Sequence, residues 1–116
     1  MTSEESEYKD TLQAVERGDD RAKTKLAWYM LSGYGGAEVD ADNAVALLEE
    51  RVKEDDAEAM WMIGLCCEYG MGTEQDFERA ETLYRQSRDK GDDTGKFFAE
   101  ERRDGRGNGV LRRISL

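Results

Sequence analysis

Apolar residues recur along this chain at the three- and four-residue intervals of a helix face, with acid-rich polar runs between them. That spacing predicts six helices. The first covers about residues 5–17, with Thr2 or Ser3 near its cap and Tyr8, Leu12 and Val15 as its stripe. Gly18-Asp19-Asp20 ends it and supplies a cap for the second, about 21–31, which closes at Ser32-Gly33. The third, about 42–53, sets Val45, Leu48 and Val52 on one side, and Asp55-Asp56 then caps the fourth, 57–69. The fifth, about 76–90, carries Phe77, Ala80, Leu83 and Tyr84 and stops at Gly91. The sixth, about 93–103, includes Phe97 and Phe98.

The helices repeat. Ala22/Ala59, Leu26/Ile63, Ala27/Gly64, Gly33/Gly70 and Gly35/Gly72 are each 37 positions apart, whereas Ala44/Ala80 and Leu47/Leu83 are 36 apart. The first unit therefore carries one extra residue in its inter-helix loop. A period in the thirties with two helix-sized halves marks a helical solenoid, an architecture that builds surfaces rather than reaction centres. The units run from about 22–56 and 57–91. A partial third, 92–107, places Phe98, Ala99, Gly105 and Gly107 at 35 residues after Ile63, Gly64, Gly70 and Gly72 and lacks its second helix. The repeat domain is 1–107, and 108–116 is expected to be a flexible basic tail. Small residues at Ala27, Gly64, Ala44 and Ala80 let neighbouring helices approach; a bulky side chain at Gly64 is expected to cost about 1–3 kcal/mol or more.

A-x-x-x-[LI]-G/A, then G-x-G, then D-x-x-x-A-x-x-L resembles the Sel1-like repeat, a relative of the tetratricopeptide repeat with a longer inter-helix loop. Ala59, Ile63, Gly64, Gly70, Gly72, Asp76, Ala80, Leu83, Tyr84 and Gly91 carry the match in the second unit. The first departs from it at Ala27, at Met30 and in its longer loop, 33–40. The resemblance implies an all-α right-handed superhelix of about two and a half repeats and the role of an adaptor holding other proteins together. It also implies that the first helix of each unit lines a concave face.

On that implication, Thr24 and Trp28 of the first unit, with Trp61 and Leu65 of the second, turn towards the groove. Arg21, Leu31, Glu58 and Glu68 lie one turn further out, and the third unit offers Lys96, Glu100 and Asp93. Two tryptophans and a leucine flanked by acids resemble a peptide-binding hot spot, suited to a partner with an apolar anchor beside Lys or Arg. The alternative is that Trp28 and Trp61 fill gaps between repeats.

Charge sharpens the picture. Charged residues form 38% of the 116-residue chain and its net charge is −10. Residues 102–116 hold five Arg and one Asp, net +4, which leaves −10 − 4 = −14 on the rest. An acidic body repels nucleic acid and anionic membrane, so neither is an expected partner. No apolar run approaches the ~18 residues of a membrane span, and the acidic, polar start is the reverse of a signal peptide. Cys66 and Cys67 are neighbours on one helix and poorly placed to bond each other, which fits a reducing, cytoplasmic setting. Histidine is absent, and no nucleophile, phosphate-loop or zinc pattern is present; neither catalysis, cofactor nor metal is expected. Asp40, Asp42 and Asp76 stand where helices begin, so capping explains them more simply than metal ligation.

Two expectations concern the last residues. Leu111-Arg112-Arg113-Ile114-Ser115-Leu116 resembles the R-R-x-S-hydrophobic substrate of basophilic protein kinases. A kinase-regulated signalling subunit modified at Ser115 is therefore the alternative to a plain adaptor. The missing last helix would expose Phe97 and Phe98, favouring a homo-oligomer through the open end over a tail folded back as a cap.

Overall fold

A computed structural model of the chain describes residues 1–103, with side chains to 101. Among the described residues there are six α-helices and no strand: α1 (Ser3–Glu16), α2 (Ala22–Ser32), α3 (Ala41–Lys53), α4 (Ala57–Tyr69), α5 (Phe77–Asp89) and α6 (Asp93–Arg103). This is the all-α superhelix of stacked helix pairs that the repeat implied. The first helix begins earlier than its apolar stripe suggests because Thr2 and Glu5 form a reciprocal capping box.

Capping sets most of the other starts. Asp40, Asp56 and Asp76 accept from the amides of Asn43, Ala59 and Arg79 at 3.1, 3.1 and 3.0 Å. The cap expected for α2 from Asp19 or Asp20 does not form. Arg21 stands at the cap position without a side-chain bond, while Asp19 Oδ1 accepts from the Arg21 amide instead. Each inter-helix loop is closed by the same backbone bond, Asp40 N–H to Met30 O (2.9 Å) and Asp76 N–H to Cys67 O (2.8 Å). The extra residue of the first loop is absorbed before that bond, beside the 3₁₀ turn Tyr34–Gly36.

The turns into α2, α4 and α6 repeat as well. Each contains a left-handed residue, Gly18 (φ 92°), Asp55 (φ 62°) and Gly91 (φ 93°), spaced 37 and 36 apart. The first of these assigns α1 a place the periodicity did not give it. It packs on α2 as α3 packs on α4 and α5 on α6, so it stands where the second helix of a unit stands.

The core is centred on α4. Ala59, Ile63, Gly64, Cys66 and Cys67 are buried there, against Ala27 of α2, Leu48 of α3 and Ala80 and Tyr84 of α5. Burial raises both thiols, Cys66 to about 11, so they stay protonated at neutral pH and are poor nucleophiles.

A polar tether links α2 to the cap of α4. The Thr24 hydroxyl donates to Asp56 Oδ2 at 2.6 Å, and Arg51 Nε reaches the same oxygen at 3.3 Å. Burial pushes the Asp56 carboxyl up, but these bonds and the Ala59 amide outweigh it and hold it below its ordinary value. Such a group stabilises the fold above its unfolded-state pKa, and the contribution is lost as pH falls through the lower folded value. Asp56→Ala is expected to lower unfolding free energy by about 1–3 kcal/mol near neutrality, with a smaller difference in acid. Urea titrations at two pH values check this.

Candidate interaction groove

Short connections make neighbouring helices antiparallel, so α2, α4 and α6 run side by side in one direction. Their shared face carries an aromatic row. Trp28 meets Trp61 edge-on at 5.8 Å between ring centres, and Trp61 lies 6.1 Å from Phe98 of α6. Trp61 is half-buried and fills the space between α4 and α6, whereas Trp28 keeps 38% of its surface exposed. Trp28 is thus the ring left open on this face, and Trp61 the one packed between helices. The Trp61 indole N–H is buried with no acceptor among the described residues, leaving an unused donor at the groove floor.

Two cavities flank Trp28. The larger, about 400 Å³, is lined by Trp28, Trp61, Tyr29, Tyr34 and Met62 with Glu7, Glu58 and Lys25 at its edge. The smaller, about 200 Å³, is almost wholly apolar, walled by Trp28, Leu31, Leu65, Tyr69 and Met71 with Ser32. Spaces of about 450 and 470 Å³ exist elsewhere, beside α1 and α3 and beside Val52 and Lys90. Neither combines several aromatic faces with carboxylates, so volume alone does not choose the site.

The larger cavity is electrostatically organised. The Tyr34 hydroxyl donates to Glu7 at 2.9 Å; that bond, then burial, pushes its pKa up to about 12, so it remains a donor. Tyr34 stacks on Tyr29 at 5.1 Å, and Lys25 Nζ lies 5.9 Å from the Tyr29 ring centre. A cation therefore already sits by an aromatic face here. Burial raises the Glu58 carboxyl, Asp56 and Asp92 raise it further, and Lys25 opposes them.

Of the residues expected in the groove, Trp28, Leu31, Glu58, Trp61 and Leu65 line these two cavities. Arg21, Lys96 and Glu100 are exposed but line neither. Thr24 and Glu68 are corrections: they are 3% and 1% exposed, and each is turned inward by a hydrogen bond. Thr24 is taken by Asp56. Glu68 lies one turn beyond Gly64, on the side of α4 that meets α5, and accepts from the Tyr84 hydroxyl at 2.8 Å.

Sequence reasoning missed Tyr29, Tyr34, Tyr69, Met71 and Glu7. Tyr69 was within reach, since 61, 65 and 69 are successive i, i+4 positions. Glu7 and Tyr34 were not, because they arrive from α1 and the 3₁₀ turn.

On α6, Phe98 stacks on Tyr84 at 4.9 Å, so α4 and α5 cover it. Phe97 stays 54% exposed. Residues Arg112, Arg113 and Ser115, the rest of 108–116, and Gly105 and Gly107 lie outside the described residues. No group of three metal-ligating side chains occurs among the described residues, where Asp40 and Asp76 serve as caps. No helix there is long and apolar enough to cross a membrane.

Helix pairs stacked in register, with glycine turns and an aromatic groove on one face, define a short helical-repeat module. The Sel1 repeat family model matches residues 20–50 and 57–92, and the chain belongs to that family. The family is typically a non-catalytic scaffold whose fold mediates protein–protein interaction. The crystal structure of a Sel1 repeat protein from Oxalobacter formigenes is similar at TM-score 0.66 and 24% identity, over 78% of this chain and 67% of that one. A protective antigen of uropathogenic Escherichia coli strains, c5321, which displays an SLR fold, is similar at TM-score 0.64 and 19% identity. That match covers 77% of this chain and only 19% of the antigen. No curated protein matches the chain.

Proposed function

We propose that the chain is a non-catalytic adaptor that binds an extended peptide, or a peptide-like segment of a protein, along the α2/α4 groove. The observation that carries this is Trp28, exposed and shared by two cavities, one that includes the carboxylates of Glu7 and Glu58 and one almost wholly apolar. A basic side chain suits the larger, where aromatic faces and the carboxylates of Glu7 and Glu58 can hold a guanidinium or ammonium. An apolar side chain suits the smaller. The buried free thiols fit a reducing compartment. The alternative of a subunit controlled by a basophilic kinase at Ser115 rests on residues outside the described ones, and the groove does not require it.

Selection of displayed random peptides on the full chain is expected to enrich Lys or Arg next to Leu, Ile, Met or Phe. Enrichment of acidic peptides, or of none, contradicts the reading. A bound cation favours ionised Glu58, whose pKa starts above its ordinary 4.5. Affinity is therefore expected to fall on acidification before that ordinary value is reached, and calorimetry across pH checks it.

A further inference from the structure

We propose that the first occupant of this groove is the chain's own segment 111–116, with Arg112 and Arg113 against Glu7 and Glu58 and Ile114 in the smaller cavity. This rests on the groove being the binding surface and adds what fills it when no partner is present.

Position supports it. The smaller cavity lies at the carboxyl ends of the first helices, walled by Leu31 and Ser32 at the end of α2 and by Tyr69 and Met71 at the end of α4. Because α6 runs parallel to both, the chain leaves Arg103 at that same end. Packed helices lie about 8–10 Å apart, so two steps from α6 to α2 cover about 20 Å. Leu111 follows Arg103 by 111 − 103 = 8 residues, which extend to about 26–29 Å. The segment reaches.

Chemistry supports it too. Residues 102–116 carry net +4 against −14 on the rest of the chain, so their encounter with the groove is attractive. Leu111-Arg112-Arg113-Ile114 pairs basic with apolar side chains, the combination the two cavities require. Attachment to the same chain also raises the local concentration to the order of millimolar, so a weak intrinsic affinity is enough.

Both tryptophans of the chain lie in the groove, so their emission reports its occupancy. The full chain is compared with a full-length variant carrying Leu111→Ser, Arg112→Ser, Arg113→Ser and Ile114→Ser. A second variant carries only Arg112→Glu and Arg113→Glu. Both are expected to keep wild-type circular dichroism while acrylamide quenching of tryptophan rises about twofold. A synthetic peptide of residues 108–116 added to the serine variant should restore wild-type quenching saturably. Equal quenching in all three chains overturns the proposal. So does protection that appears only where light scattering gives a dimeric mass, since the occupant is then a second copy. If quenching is equal yet selected peptides still bind in a Trp28-dependent way, self-occupancy alone fails. If neither is seen, the groove reading falls with it.

Discussion

Replacing Tyr84 by alanine is expected to remove about 4 kcal/mol of unfolding free energy and lower the melting temperature by more than about 15 °C. Tyr84 is fully buried and serves three partners. Its ring lies on Gly64, where an added Cβ would meet Cδ1 at 2.8 Å, and it stacks on Phe98. Its hydroxyl donates to Glu68, a carboxyl within the protein interior. Alanine opens a cavity and removes that bond together, and total stability for such a domain is about 5–15 kcal/mol. Tyr84→Phe keeps the ring and should cost about 1–3 kcal/mol.

A double-mutant cycle isolates the Gly64 contact. Gly64→Ala alone should destabilise, because the ring cannot retreat from a packed core. In the Tyr84→Ala background the same change should cost less or stabilise, since the new methyl enters vacated space and alanine favours helix by about 1 kcal/mol. Additivity within about 0.5 kcal/mol would show that the two positions do not press on each other.

Trp28→Ala is expected to weaken binding of a selected basic-apolar peptide at least about 30-fold, the effect of losing a hot-spot contact of about 2 kcal/mol. Its cost to stability should be small, because much of the ring already faces solvent. Trp61→Ala should harm both, since that ring also fills the space against Phe98. Calorimetry beside thermal melts separates the cases. Unchanged affinity in a folded Trp28→Ala chain would move the binding surface elsewhere.

What the sequence made legible was set locally or by period. Helix α4 was bounded at its start by the capping pair Asp55-Asp56, and the 37-residue spacing identified Gly64 as a packing position. Three features depended on partners far along the chain. Thr24 shares a helix face with Trp28 yet is drawn inward by Asp56, 32 residues on. Glu68 reads as a solvated acid until Tyr84 is placed over it. Helix α1 shows a weak stripe whose buried residue is Thr11, so only the left-handed turn at Gly18 reveals its repeat role. Its Glu7 and the 3₁₀ Tyr34 then complete one wall of the groove, a juxtaposition that no local pattern encodes.

Amide and indole shifts of the labelled full chain, followed as a selected peptide is added, test the groove most directly. Movement of both tryptophan indole signals, with amide shifts concentrated on Trp28, Leu31, Trp61, Leu65 and Tyr69, is the expected result. Shifts gathered instead on the outer helices α3 and α5, with both indoles unmoved, would contradict it.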